Sequence, residues 1–241
     1  MFALPIGASR PRTADPYRDT DVIDSRAPRV NQMVVGLVSL LAFATGWWPL
    51  LGILALQLVV GLRFGRRFCL ACVAYFELIQ PRFGEGVVED SRPPRFANVV
   101  GAVVLTGASL AHAFGLNALG WVLGLLVAAL ALLAAATGLC VGCEMYKLGA
   151  RVRGIRSGHL ATIDPVDVGV WPRGAPSVVV QFTHPLCTEC RLLDEKLRSE
   201  GRHVVAIDVS RRPALARKYG VAVVPTAVSV DARGTVLARV A

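Results

Sequence analysis

No aspartate, glutamate, lysine or arginine occurs between Arg29 and Arg63, and none between Arg95 and Glu144. A helix of about 20 residues spans the hydrocarbon of a bilayer, so each charge-free run is too long for a single crossing. Both runs also break near the middle. In the first, Thr45-Gly46-Trp47-Trp48-Pro49 supplies a proline suited to the opening turn of a new helix and tryptophans suited to the water interface. In the second, the break is His112-Ala113-Phe114-Gly115-Leu116-Asn117, with Asn117 expected to cap the next helix. The pattern predicts four membrane helices in two hairpins, the first pair short at about 16 residues each.

With 54% hydrophobic residues the chain is too apolar for an ordinary soluble domain, which implies a membrane part joined to a soluble part. The N-terminus, MFALPIGASRPR, has no basic start followed by an apolar core and reads as no secretory signal. Arginines flank the first hairpin, fill the loop between hairpins (Arg63, Arg66, Arg67, Arg82, Arg92, Arg95) and follow the second hairpin, whereas the two tight turns carry no Lys or Arg. The positive-inside rule then puts both termini and the central loop on the cytoplasmic side of a bacterial cell membrane. The net charge of +9 is read as a topology signal and a contact with anionic lipid. No nucleic-acid partner is expected, because no basic patch is interleaved with aromatics.

The membrane half is a duplication. Asp24-Ser25-Arg26-Ala27-Pro28-Arg29 returns as Asp90-Ser91-Arg92-Pro93-Pro94-Arg95, and Cys69-x-x-Cys72-x-x-Tyr75 returns as Cys140-x-x-Cys143-x-x-Tyr146. Copies with an even number of crossings share one orientation, so a pseudo-twofold axis along the membrane normal is expected to relate them. All six cysteines fall in Cys-x-x-Cys pairs, the third being Cys187/Cys190. Three readings fit Cys69, Cys72, Cys140 and Cys143. They pack as small hydrophobes, they hold one zinc ion with two ligands from each repeat, or they are redox pairs. The redox reading is preferred, because the third pair has a redox context of its own. Glu77 and Glu144 beside these pairs are read as solvated interfacial carboxylates.

This half resembles an uncharacterised bacterial family of four-helix membrane domains, described only as a domain of unknown function. The resemblance runs from Ile23 to Arg153. It rests on the Arg-x-Pro-Arg segments and on Cys140-x-Gly142-Cys143-Glu144-x-Tyr146.

From Ser177 the pattern turns to soluble α/β. A strand over Ser177–Phe182, a turn at Thr183–Leu186 and a helix from Cys187-Thr188-Glu189-Cys190 to Glu200 are predicted. A strand at Val204–Asp208, a helix over Pro213–Tyr219, and strands near Ala227–Val230 and Val236–Val240 follow. A Cys-x-x-Cys between a strand and a helix start, with Val224-Pro225-Thr226 after it, resembles the thioredoxin-like superfamily over roughly Ala161 to Ala241. The resemblance implies that Cys187 attacks as a thiolate open to aqueous partners and that Cys190 resolves the mixed disulfide. It also implies that Pro225 is cis and lies beside the dithiol. The alternative is a zinc or copper site aided by His184, itself read as a turn residue or tuner of thiol acidity. Against the family pattern, no Trp precedes Cys187, Thr188-Glu189 separates the sulfurs, Gln181 stands where a buried Asp is common, and no helix follows the last strand.

The expected organisation is an N-terminal tail (1–22), a membrane domain (23–153, repeats 24–80 and 90–148), a flexible linker with first-strand region (154–174), and a thioredoxin-like domain (175–241). The expected function is a membrane-tethered thiol–disulfide oxidoreductase whose Cys187/Cys190 exchanges with protein disulfides or with the membrane-domain pairs. No cofactor is required, zinc at Cys69, Cys72, Cys140 and Cys143 stays open, and the partners are the lipid bilayer and an unidentified protein thiol or disulfide. The rivals are a zinc-stapled membrane scaffold carrying a thioredoxin-like binding module and a quinone-linked, disulfide-generating membrane enzyme.

Overall fold

The computed structural model describes residues 13–157, 161–169 and 177–240. The start of the expected tail (1–12), parts of the expected linker and thioredoxin-like region (158–160 and 170–176) and residue 241 lie outside the described residues. The chain divides into two compact units, one spanning Pro16–Arg156 and the other built on Ser157–Ala241.

The first unit opens with β1 (Val22–Asp24), α1 (Arg26–Thr45) and α2 (Pro49–Phe64). A 3-10 turn, Arg66–Phe68, leads to α3 (Leu70–Ala74), a π turn at Tyr75–Ile79 and α4 (Gln80–Phe83). The second half repeats this plan with β2 (Val88–Asp90), α5 (Arg92–Ala113), α6 (Asn117–Thr137) and α7 (Val141–Ser157). The repeats differ after their cysteines for a covalent reason. Pro81 has no N–H to give the carbonyl of Glu77, so the first copy widens into a π turn where the second runs on as one helix. That helix reaches Ser157, so the segment expected to be flexible linker from Gly149 starts as helix.

α1, α5 and α6 are long and apolar enough to cross a membrane, and α2 is a shorter apolar helix of 16 residues. Gly46, in the left-handed region at φ 69°, ends α1, and Pro49 opens α2. Val35, Leu51, Leu54, Leu58, Leu105 and Val127 form one core shared by the four helices. Leu37, Leu56, Val103 and Val122 point outward, so apolar residues cover the outside as well, as a lipid-facing bundle requires. At the second hairpin tip, Asn117 does not cap α6 as the sequence predicted. It is the first helical residue, and its Oδ1 lies 3.0 Å from Nδ1 of His112, a buried ring stacked on Trp48.

The repeat is built around an antiparallel ribbon. Ile23 pairs with Glu89, the residue in the equivalent position of the other copy. Ser25 N–H bonds the Val87 carbonyl (2.9 Å) and Ser91 N–H bonds the Asp21 carbonyl (3.0 Å), each the counterpart of the other. α1 packs along α6 and α2 along α5, the two contacts that one twofold interchanges. Asp24 is buried here and accepts from Tyr75 O–H (2.8 Å), Gly86 N–H (2.8 Å) and Arg26 N–H (3.0 Å).

The second unit is a mixed sheet in the order β4-β3-β5-β6, with β3 (Ser177–Thr183), α9 (Thr188–Ser199), β4 (Val204–Asp208), α10 (Pro213–Lys218), β5 (Thr226–Asp231) and β6 (Val236–Arg239). β3 is parallel to β4 and antiparallel to β5, so it lies inside the sheet, which its run of buried valines suits. A short α8 (Pro165–Val168) precedes β3, and its segment belongs to this unit. Thr162 bridges to Thr235, Ile163 is buried in the core, and Asp167 accepts from Tyr219 O–H and Lys218 Nζ. One face of the sheet packs Ile163, Phe182, Ile207 and Tyr219, while the other packs Val179 and Ala227 against Leu193 and Leu197 of α9.

Removing the Asp24 carboxylate leaves the buried Tyr75 hydroxyl and two part-buried backbone N–H groups without their acceptor, so Asp24→Ala should destabilise the first unit by about 3–5 kcal/mol. Tyr75→Phe removes one hydrogen bond to a charged group and should cost about 1.5–3 kcal/mol. Chemical unfolding in detergent, followed by circular dichroism, checks both values and their order.

Candidate functional site

All three Cys-x-x-Cys pairs share one local geometry. The first cysteine directly precedes a helix, and its sulfur accepts the backbone N–H of the second: 3.4 Å from Cys72 to Cys69, 3.2 Å from Cys143 to Cys140, and 3.2 Å from Cys190 to Cys187. Cys69 and Cys187 both have extended backbones (φ −91°, ψ 103° and φ −75°, ψ 116°). The sulfur therefore takes the place of an N-cap oxygen, among unpaired N–H groups at the positive end of the helix dipole. That setting favours a thiolate over a thiol.

In the second unit Cys187 and Cys190 are joined by a disulfide, with Cα atoms 5.3 Å apart. The turn before them is set by His184, whose carbonyl accepts Cys187 N–H (3.0 Å) and whose Nδ1 accepts Leu186 N–H (3.2 Å). His184 thus works as a turn residue. Gln181, buried in β3, donates from Nε2 to the Cys190 carbonyl (2.7 Å), and its Oε1 has no hydrogen-bond partner. The Val224–Pro225 peptide bond is cis, and Val224 packs in the same apolar cluster as both sulfurs.

One expectation is corrected here. Cys187 is not open to aqueous partners: it is 0% exposed and Cys190 is 1% exposed. The reason is packing. The pair sits among Val180, Phe182, Ile207, Val224 and Val228, and a disulfide carries no charge that needs water.

In the first unit Cys140 and Cys143 are also disulfide-bonded, whereas Cys69 and Cys72 are free and buried. The Cys72 S–H donates to the Cys69 sulfur and, with two backbone N–H groups, holds the Cys69 thiol below its ordinary range against the opposing effect of burial. The same bond, together with burial, pushes Cys72 up. The two thiols therefore titrate as a pair rather than independently. Arg66 lies near Cys72, and its guanidinium donates to the carbonyls of Pro16 (3.0 Å), Thr20 (3.0 Å) and Val22 (2.7 Å), which pins the segment before β1. Glu77 accepts from Tyr17 O–H (2.9 Å) and Glu144 from Lys147 Nζ (3.0 Å), so both carboxylates are occupied away from the sulfurs.

Two asparagines that sequence reasoning passed over sit between the membrane-unit pairs. Asn31 of α1 lies 3.7 Å from the Cys69 sulfur, and its Nδ2 donates to Asn98 Oδ1 of α5 at 3.2 Å. Their signal was present, since each is an amide near the start of an otherwise apolar run in its repeat. Among the described residues no group of three or more His, Cys, Asp or Glu is placed to hold a metal ion.

The molecule thus combines a helical unit of membrane character, carrying two Cys-x-x-Cys helix starts, with a mixed-sheet unit carrying a third. A family profile described as a domain of unknown function (DUF4395) matches residues 23–151, and the chain belongs to that family. No curated protein and no solved structure matches the chain.

Cys72→Ala removes the S–H donor that lowers Cys69, so the Cys69 thiolate should form only at higher pH, its midpoint rising by about one unit or more. Ultraviolet thiolate absorbance, titrated in chains whose other two pairs are oxidised, checks the direction. An unchanged or lowered midpoint would refute the Cys72 S–H as the cause of the lowered Cys69 thiol.

Proposed function

We propose that this protein is a membrane-tethered thiol–disulfide oxidoreductase, with Cys187/Cys190 as the exchanging pair of a thioredoxin-like head. The observation that carries the reading is the Cys187 sulfur at the start of α9, bonded to the N–H of its own disulfide partner. The strand order β4-β3-β5-β6, with its one parallel pair after the dithiol strand, and the cis Val224–Pro225 bond agree with a thioredoxin-like arrangement. Once reduced, Cys187 loses its proton, the thiolate attacks a client disulfide and forms a mixed disulfide, and one client sulfur leaves as a thiolate that takes up a proton. Cys190 then loses its proton, attacks Cys187 and releases the second client sulfur, so two electrons and two protons pass to the client. The reverse sequence oxidises a dithiol. Because the pair is buried, the cycle includes an opening step that uncovers Cys187.

In this reading α1, α2, α5 and α6 all cross the bilayer. α2 has 16 residues, about 24 Å of helix, and falls short of the roughly 30 Å hydrocarbon. Trp47 and Trp48 at one end and Arg63 at the other let it span by interfacial anchoring and local thinning. In the same reading the head lies on the cytoplasmic side of a bacterial cell membrane, which the arginine distribution supports. The electron partners of the head are the membrane-unit pairs, Cys140/Cys143 or Cys69/Cys72, or an external protein.

Cys187→Ser should reduce exchange with a model protein disulfide to the uncatalysed rate, and Cys190→Ser should accumulate mixed disulfides visible on non-reducing gels. Turnover by Cys187→Ser at the native rate would overturn the reading. For the side of the membrane, Arg233→Cys in the exposed β5–β6 turn serves as a reporter in a chain lacking other cysteines. An impermeant maleimide should label it only after cells are opened. Labelling in intact cells would place the head outside and favour a disulfide-generating enzyme.

A further inference from the structure

The free pair Cys69/Cys72 and the disulfide Cys140–Cys143 belong to different repeats, yet they open onto neighbouring cavities. One, of about 180 Å³, is lined by Cys69 and Cys72; the other, of about 210 Å³, is lined by Cys140. Asn31, Leu58 and Asn98 line both. Between the two cavities thus stand Leu58 and the amide–amide hydrogen bond of 3.2 Å from Asn31 to Asn98, and Asn31 lies 3.7 Å from the Cys69 sulfur. On the far side, the start of α7, just after Cys140, packs against α5 beside Asn98. A Cβ placed on Gly142 would meet Ala97, the neighbour of Asn98, at 2.9 Å.

We propose that the two repeats form an internal exchange couple, in which Cys69 attacks Cys140 across the Asn31–Asn98 partition and the disulfide passes from one repeat to the other. The step needs no outside reagent. Cys69 gives up its proton, the thiolate bonds to the Cys140 sulfur as the Cys140–Cys143 bond breaks, and Cys143 leaves as a thiolate and takes up a proton. Cys72 then gives up its proton and attacks Cys69, the Cys69–Cys140 bond breaks, and Cys140 is protonated in turn. Two electrons and two protons have moved from Cys69/Cys72 to Cys140/Cys143, and one disulfide exists before and after. Cys140 is the sulfur attacked, because it lines the cavity that shares the partition while Cys143 does not. Asn31 and Asn98 are positioning residues, and their side chains part when the sulfurs meet. The couple turns two chemically similar helix starts into a store that holds one disulfide in either of two places.

The test uses the full-length chain in detergent with Cys187→Ser and Cys190→Ser, so the head takes no part and failure here leaves the head's proposed exchange untouched. Adding Cys72→Ser and Cys143→Ser leaves Cys69 and Cys140 as the only thiols. Mild oxidation should then join them within one chain, found as a linked peptide pair by mass spectrometry and shown to be intramolecular by mixing isotopically labelled chains. Cys69 with Cys143, as the control pair, should join more slowly. Thiols that stay free in a chain with native helical circular dichroism, or cross-links that form only between chains, would overturn the proposal. A second measurement avoids the four-cysteine background. The chain lacking only the head cysteines is given one oxidising equivalent, and its disulfide is located by differential alkylation over time. Interchange between Cys69–Cys72 and Cys140–Cys143 is the expected result, and a disulfide that stays in one pair would refute the couple.

Discussion

Two hydrogen bonds at the centre of the helical unit, Ser25 N–H to the Val87 carbonyl and its counterpart from Ser91 to Asp21, organise everything around them. They pair the lead-in strands of the two repeats antiparallel, in a register that sets Ile23 against its own equivalent, Glu89. A twofold relation between the copies follows from that register. Once it is set, α1 falls against α6 and α2 against α5, and the two Cys-x-x-Cys helix starts come to one end of the bundle. Asp24 and Arg66 brace this centre from inside. One supplies a carboxylate to three donors, and the other supplies a guanidinium to several carbonyls of the segment before β1. Buried charges of this kind are stable only when saturated with partners, and they hold the junction to one geometry.

The same local device recurs three times, but its surroundings differ. A sulfur at a helix N-terminus is acidified by free N–H groups wherever it occurs. Around Cys69 the neighbours are an amide oxygen that accepts from the sulfur and the Cys72 thiol, so the pair sits in polar, hydrogen-bonded surroundings. Around Cys187 the neighbours are valines and a phenylalanine, so the disulfide is sealed into the core of its unit. Identical spacing along the chain therefore yields pairs with different access and different readiness to react. Chemistry of this kind is decided by the second layer of contacts as much as by the motif.

The elements of both units were largely legible. The charge-free runs, with Gly46 and Pro49 at the first break, marked the hairpins. The alternation from Ser177 to Val240 marked strands and helices close to where they lie. Three features were not legible. Helix α7 runs on to Ser157 through a segment rich in glycine and arginine, because a helix start at Cys140 propagates as long as no proline interrupts it. Ile163 joins the core of the second unit from before the apparent domain start, since a lone isoleucine has no periodicity to reveal its role. Asn117 turned from a cap into a partner of His112, a pairing fixed by the tight turn between helices rather than by local preference.

By itself, the sequence determined that this chain has an apolar helical half built twice and an α/β half, and that the last cysteine pair begins a helix. Those facts rest on short-range causes: the period of hydrophobic residues, the position of glycine and proline, and the two-residue spacing between sulfurs. Only the tertiary structure decided which sulfurs share a partition, which are sealed from water, and which amides stand between them. Burial and proximity are sums over residues distant along the chain, such as Asn31 with Asn98 or Cys187 with Val228, and no local pattern carries that sum.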